Sequence, residues 1–206
     1  MPILTALGRT MGFSFAAGIN LYATVAILGL ASRYGWVALP PQYQVFDNNW
    51  IIGAALALYV IEFVADKIPW VDSVWDAVHT VIRPAGGALI AVATLGPKAP
   101  ATEVLIALFG GALAASTHFG KSGTRVLANA SPEPFSNWFL SIGEDLFVVG
   151  LGALALKYPA AAAIVVIVCL AVIVAFGTWI FRAVRRRFLR RGTNPDRLPQ
   201  TNTDQH

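Results

Sequence analysis

Residues 159–181, PAAAAIVVIVCLAVIVAFGTWIF, decide the fold class, because twenty-three consecutive positions carry no charge. A hydrocarbon core about 30 Å thick takes roughly 20 apolar residues of helix. Pro159 suits the first turn, where a missing N–H has no helical partner to lose. Working outward, 11–32, 101–119 and 135–156 are apolar stretches of similar length. Another, 50–66, opens at Trp50 behind Asp47, Asn48 and Asn49 and stays apolar until Glu62. Pro84 to Leu95 is too short to cross by itself; it crosses as 77–95 only by taking in His79 and Arg83. The pattern predicts an all-α polytopic membrane protein with six spans in one transmembrane domain, 1–181. A basic tail, 182–206, follows, disordered after about 192.

The composition agrees. Charged residues make up 13% of the 206, about half the roughly 25% usual in soluble domains, and hydrophobic residues make up 56%. A disordered chain and an ordinary soluble domain are both excluded. The single cysteine, Cys169, lies inside the apolar run, which excludes a disulfide scaffold and a cysteine-based structural zinc site.

Basic residues orient the spans, since Lys and Arg accumulate on the cytoplasmic side. Six spans place Arg9, Lys67, Arg83, Lys121, Arg125 and the seven tail arginines on one side, against Arg33, Lys98 and Lys157 on the other. Both termini are therefore expected in the cytoplasm. With no basic n-region ahead of the first apolar stretch, a bacterial inner membrane is the expected location. The tail arginines are expected to meet anionic lipid headgroups rather than nucleic acid.

Ionisable residues inside apolar segments carry the functional signal, because a charge at mid-membrane costs several kcal/mol unless paired or hydrated. Glu62 and Asp66, four apart, share a helix face. Asp72, Asp76, His79 and Arg83 form one stripe opposite Val71, Val74, Trp75, Val78 and Ile82. That describes an amphipathic or re-entrant helix near 70–83, either wetting its polar face at the interface or lining an inner vestibule. Glu144 and Asp145 lie near the middle of 135–156, and Asn20 lies within the first stretch. The polar segment 120–137 reads as a connection. Gly120 and Gly123 with Lys121, Ser122 and Arg125 are candidates for a phosphate-binding turn, and Ser131 to Pro134 for a stiff stop before the next helix. Ala16-Ala17-Gly18-Ile19-Asn20 is similar to Ala114-Ala115-Ser116-Thr117-His118, and Asn49-Trp50 to Asn137-Trp138. Such pairs suggest a 3+3 inverted repeat, common among transporters.

Three strings resemble a known family: 18–24 (GINLYAT), 61–76 (IEFVADKIPWVDSVWD) and 129–134 (NASPEP). The family is catalogued as domain of unknown function 4126, membrane proteins of bacteria and plants, and the resemblance runs from about Leu4 to Ala175. It implies a polytopic membrane protein and no particular activity. The Glu62-x3-Asp66-Lys67 string is also similar to the Glu-x-Gly-Asp-Lys motif of cation/proton exchangers for manganese or calcium, with one extra residue and no glycine.

Together these features predict a small transporter or channel for a cation, divalent or proton-coupled. Glu62, Asp66, Glu144 and Asp145 would bind the ion and are the candidate metal ligands, with a divalent cation as the expected bound group. Asn20 adds a neutral oxygen, and Asp72, Asp76 and His79 form the vestibule. Lys67, Arg83, His118, Lys121 and Arg125 pair with neighbouring acids or with anions. Six spans in so short a chain enclose little volume, so a homodimer within the lipid bilayer is expected. No catalytic residue is assigned. Two rivals stay open: an Mg²⁺-dependent enzyme or flippase for phosphorylated lipid or isoprenoid, using Asp66, Asp72 and Asp76, and an assembly factor or scaffold.

Overall fold

The computed structural model describes residues 3–96, 98–129 and 135–191. Among these, seven α-helices and one short 3-10 helix form, with no strand: α1 (Ile3–Ile19), α2 (Leu21–Arg33), the 3-10 helix (Pro41–Asp47), α3 (Asn49–Ala65), α4 (Pro69–Leu95), α5 (Pro100–Asn129), α6 (Phe135–Lys157) and α7 (Pro159–Arg191). The chain divides into two compact units, Met1–Leu170 and Ala171–His206, with the division inside α7. In the second unit the described residues continue the helix from Ala171 to Arg191 and expose Val172, Val174, Trp179 and Phe181. The predicted disorder beyond 192, and the stiff stop at Ser131 to Pro134, lie outside the described residues.

Three segments differ from the sequence pattern. The expected first span, 11–32, is two helices broken at Asn20. There the backbone is extended (φ −143°, ψ 100°) and the side-chain Oδ1 accepts the N–H of Ala23 at 2.9 Å. Apolar periodicity continues across the break, but an asparagine that can cap a helix competes with continuing it. The amphipathic segment 70–83 is the first part of a single 27-residue helix, α4, which runs through Pro84 to Leu95. At 1.5 Å per residue it is about 40 Å long. Within α5 the helix continues past 119 to Asn129. Gly120 and Gly123 are therefore helical residues, and the phosphate-binding turn does not exist.

The first unit is built around α1. α4 packs most extensively against α5, and α1 lies against α4, α5 and α6, while α2 rests on α3 and the 3-10 helix. Small residues let these backbones approach, the usual device where lipid supplies no hydrophobic drive. A Cβ on Gly87 would collide with the Cβ of Ala114, one on Gly110 with that of Ala91, and one on Gly18 with the carbonyl of Ala114. The similar strings 16–20 and 114–118 thus face one another. Ser14 Oγ donates to the Gly87 carbonyl at 3.1 Å, joining α1 to the α4–α5 crossing. Phe13, Phe15, Leu28 and Ile90 fill the interior around it.

Polarity is inverted relative to a water-soluble protein. The largest fully buried side chains begin with Arg83 and Arg125 and include His79, His118 and Glu62. The exposed ones include Val60 and Val64 on α3, Val74, Val78 and Val81 on α4, Val104, Leu105 and Leu108 on α5, and Phe139, Leu146 and Val149 on α6. Arg, Asp and Glu are rarely buried fully unless paired, and an apolar exterior is what hydrocarbon selects. Helices α4 to α7 are each long and apolar enough to cross a bilayer, whereas α1, α2 and α3 are shorter. The protein is a polytopic α-helical membrane protein.

Candidate functional site

Two helices end at one place in the first unit, and cations meet both ends. The last turn of a helix leaves carbonyls without intrahelical partners and carries partial negative charge. At the end of α1, Asn20 takes the N–H of Ala23, and the Ile19 carbonyl accepts from Lys121 Nζ at 3.2 Å instead. One residue earlier, the Gly18 carbonyl lies 3.5 Å from Arg83 Nη1. At the end of α3, the Asp66 carbonyl accepts from Arg125 Nη1 at 2.8 Å. The three cations come from α4 and α5.

Five carboxylates surround these three cations. Glu62, wholly buried in the last turn of α3, accepts from Arg83 Nη2 at 2.7 Å through Oε1, which is also 3.5 Å from Lys121 Nζ. Asp66 Oδ2 accepts from Lys121 Nζ at 3.2 Å and from Arg125 Nη2 at 2.9 Å. Glu144 on α6 receives Arg125 through both oxygens, 3.2 Å from Nε and 2.6 Å from Nη2, and lies 3.3 Å from Lys121 Nζ. Asp76 accepts from Arg83 Nη1 at 3.2 Å and from Ser122 Oγ at 2.8 Å. Asp72 is held only at 3.7 Å from Arg125 Nη1, and neither of its buried oxygens has a hydrogen-bond partner. Glu62 Oε2 and Asp66 Oδ1 are likewise buried without one.

Two histidines border the cluster in defined tautomers. Arg83 Nη1 lies 2.8 Å from His118 Nδ1 and only donates, so Nδ1 accepts and the neutral ring carries its proton on Nε2. That Nε2 meets Thr80 Oγ1 at 3.1 Å, and Thr80 donates on to the Asp76 carbonyl at 3.1 Å. His79 is the opposite case. Its Nδ1 faces the Trp75 carbonyl at 2.7 Å and must donate, which leaves Nε2 to accept from the Tyr22 hydroxyl at 2.9 Å. Trp75 stacks on the same ring, with centroids 4.6 Å apart.

A family model, domain of unknown function 4126, matches residues 7–178. The chain belongs to this family. No curated protein and no solved structure matches it. The matched region of this family member contains every residue of the cluster.

The predicted site residues fall into three groups. Glu62, Asp66, Glu144, Asp72, Asp76, Arg83, His118, Lys121 and Arg125 come together, and His79 adjoins them. Asn20 and Asp145 form a flanking pair, Asn20 Nδ2 donating to Asp145 Oδ1 at 3.2 Å. Lys67 turns away, donating to the Phe63 carbonyl at 2.7 Å and to Ser141 Oγ at 3.3 Å while lying over the Phe63 ring. The four predicted metal ligands do not converge as a metal site. Cations stand between the acids, and among the described residues no group of three or more His, Cys, Asp or Glu is arranged to hold a metal ion. The polar face of 70–83 is buried: Asp72, Asp76, His79 and Arg83 all point inward while Val74, Val78 and Val81 are exposed. It does not wet an interface.

Sequence reasoning missed Thr80, Tyr22 and Ser141, and it read Ser122 as part of a turn and Trp75 only as part of an apolar face. One available signal was on α5, where His118, Lys121, Ser122 and Arg125 recur at helical spacing and make one polar face. A separate cavity of about 590 Å³ lies between the end of α2 and the 3-10 helix, lined by residues such as Ser32, Val37, Gln44 and Asn48. None of its lining residues belongs to the charge cluster.

Proposed function

We propose that this family member is a small membrane transporter that exchanges a cation for protons through the buried charge cluster. One observation carries the reading: five carboxylates share three basic side chains, two arginines and a lysine, inside a protein with an apolar exterior. With every group ionised the cluster has two negative charges in excess. An uncompensated buried charge is costly, so the excess is balanced by bound protons or by an entering cation. Either can be traded for the other at constant charge, which is the elementary requirement of coupled exchange.

The site also sits beside the broken helix α1–α2, and in transporters unwound or ended helices present carbonyls to ions. The lipid-phosphate reading has less support, because Arg83, Lys121 and Arg125 are already engaged by carboxylates. In this reading the protein lies in a bacterial inner membrane with the arginine-rich tail in the cytoplasm; Arg9 donates to the Leu156 carbonyl beside Lys157, so the twelve-to-three split, which sets Arg9 against Lys157, does not hold for the N-terminus.

Purified protein in proteoliposomes, with a pH-sensitive dye inside, is the test. Imposed gradients of sodium, potassium or ammonium drive internal pH changes in the wild type. Glu62→Gln and Glu144→Gln, each inserted normally, reduce that flux by about tenfold or more, the equivalent of 1.4 kcal/mol. Flux unchanged in both variants removes the assignment.

A further inference from the structure

The chain folds back on itself at Asn20, and one residue of α6 marks the return. Phe13 lies seven positions before Asn20 and Ile27 seven positions after it. In an unbroken helix they would stand about 21 Å apart. Instead both meet Gly152, where a Cβ would lie 3.9 Å from Phe13 Cε1 and 3.2 Å from Ile27 Cγ2. The α1 arm runs antiparallel to α6, with Gly8 against Pro159, Gly12 against Ala155 and Asn20 bonded to Asp145. It also runs antiparallel to α4, because Thr10 Oγ1 meets Thr94 Oγ1 at 3.0 Å while Ser14 donates to Gly87. The α2 arm returns alongside α6, and near its end Gly29 touches the Phe46 carbonyl and Ile52 at the start of α3. Pro40, which follows α2, lies against Gly96 at the end of α4. Both ends of α1–α2 therefore sit level with the end of α4 and the α6–α7 turn, and only the Asn20 tip reaches the charge cluster. With lengths of about 25 and 20 Å, neither arm spans a hydrocarbon core of about 30 Å.

That level is the outer one. The apolar run 159–181 is long enough to cross and delivers the tail arginines to the cytoplasmic side, so Pro159 lies on the opposite face. Exposed aromatic side chains gather at the same level, as at a bilayer interface: Tyr34 and Trp36 after α2, Trp50 opening α3 and Tyr158 before α7. With Arg9 on the outer side, eleven of the fifteen Lys and Arg still count as inner, so the charge bias survives. We infer that α1–α2 is a re-entrant hairpin inserted from the outer face, with the start of α1 outside, and that its tip is a plug closing the charge cluster against the outer solution. Glu144 precedes Lys157 by 13 residues, which puts the cluster about 20 Å beneath the outer face. The hairpin fills that depth with buried Phe13, Phe15 and Leu28. Non-helical backbone survives in a membrane only where protein or a cavity surrounds it, and Asn20 is buried. The α1 arm is the fixed one, seated through Gly8, Gly12 and Gly18 on neighbouring helices. At the tip the fastenings are side-chain bonds, Asn20 Nδ2 to Asp145 Oδ1 at 3.2 Å and the Tyr22 hydroxyl to His79 Nε2 at 2.9 Å. Lifting the tip needs those bonds broken and no packed helix moved.

This inference goes beyond the exchange reading and stands without it, since no flux enters its test. Single cysteines in a Cys169→Ser background are treated with a membrane-impermeant thiol reagent on intact and on permeabilised cells. Leu4→Cys and Tyr34→Cys, at exposed positions flanking the hairpin, react in intact cells, and Thr201→Cys in the tail reacts only after permeabilisation. Leu4 and Tyr34 on opposite sides, or both on the side of the tail, overturn the hairpin. If Leu4→Cys does not accumulate, an epitope tag ahead of Met1 gives the same reading. Ser122→Cys probes the plug, because Ser122 donates to Asp76 within the cluster. It stays unreacted in intact cells, and adding Asn20→Ala raises its reaction from outside severalfold while Thr201→Cys remains protected. If Asn20→Ala does not accumulate, Tyr22→Phe, which drops the bond to His79, takes its place. Free reaction of Ser122→Cys in intact cells with Asn20 present overturns the plug, and so does a folded tip variant that leaves Ser122→Cys protected.

Discussion

Arg125 holds more of the site together than any single acid. It grips Glu144 with two nitrogens, reaches Asp66, and closes the end of α3 through the Asp66 carbonyl. Removing one partner of a buried ion pair leaves the other uncompensated and typically costs 3–5 kcal/mol. Arg125→Leu is expected to lose about that much in reversible SDS or urea unfolding of the purified protein. Arg125→Lys keeps the charge but not the two-pronged geometry, so its loss is smaller and still measurable. The acids themselves were legible in the sequence, since mid-membrane carboxylates at 62, 66, 144 and 145 are conspicuous. Their partners were less so. Lys121 and Arg125 read as loop residues, and nothing local shows that a cation will stand between two acids where a shared metal ion was expected. That arrangement depends on which helix faces meet.

At the level of elements, the crossing of α1, α4 and α5 is set by glycines whose missing Cβ is the contact. Gly87→Val and Gly110→Leu would force those backbones apart, and overpacking a close-packed site costs about 1–3 kcal/mol. Gly123 in α5 and Gly143 in α6 face open space, so Gly123→Ala and Gly143→Ala are expected to be neutral or to stabilise by up to about 1 kcal/mol, because alanine is the better helix former. Unfolding midpoints of the four variants in one detergent check the contrast. Helix type and approximate number were readable from apolar runs, but the run over 11–32 could not reveal its own break. An asparagine in an apolar stretch is one residue among twenty, and its capping role emerges only from the backbone turn at that point. The polar stretch after His118 misled in the opposite way. Polarity marks a loop when its residues face water, and here Lys121, Ser122 and Arg125 face carboxylates on one side of a continuing helix.

For the whole molecule, the inverted polarity has a consequence for biogenesis. Helices leave the translocon one after another, and each must partition into lipid alone or wait for a neighbour. A charge at the centre of a lone helix opposes insertion by about 2.5–3.5 kcal/mol. α4 carries Asp72, Asp76 and Arg83, and α5 carries Lys121 and Arg125, yet the partners that neutralise them reside on α3, α6 and each other. Arg83 meets Glu62, which has already been synthesised, whereas Lys121 and Arg125 still lack Glu144 when they emerge. Chains truncated after Leu95, and after Asn129, are therefore expected to integrate less completely than chains extended through Lys157, as judged by alkaline extraction of membranes. Assembly of the first unit is then a late, concerted event. The same charges that equip the finished protein hold its parts back from the bilayer until nearly all of them have been made.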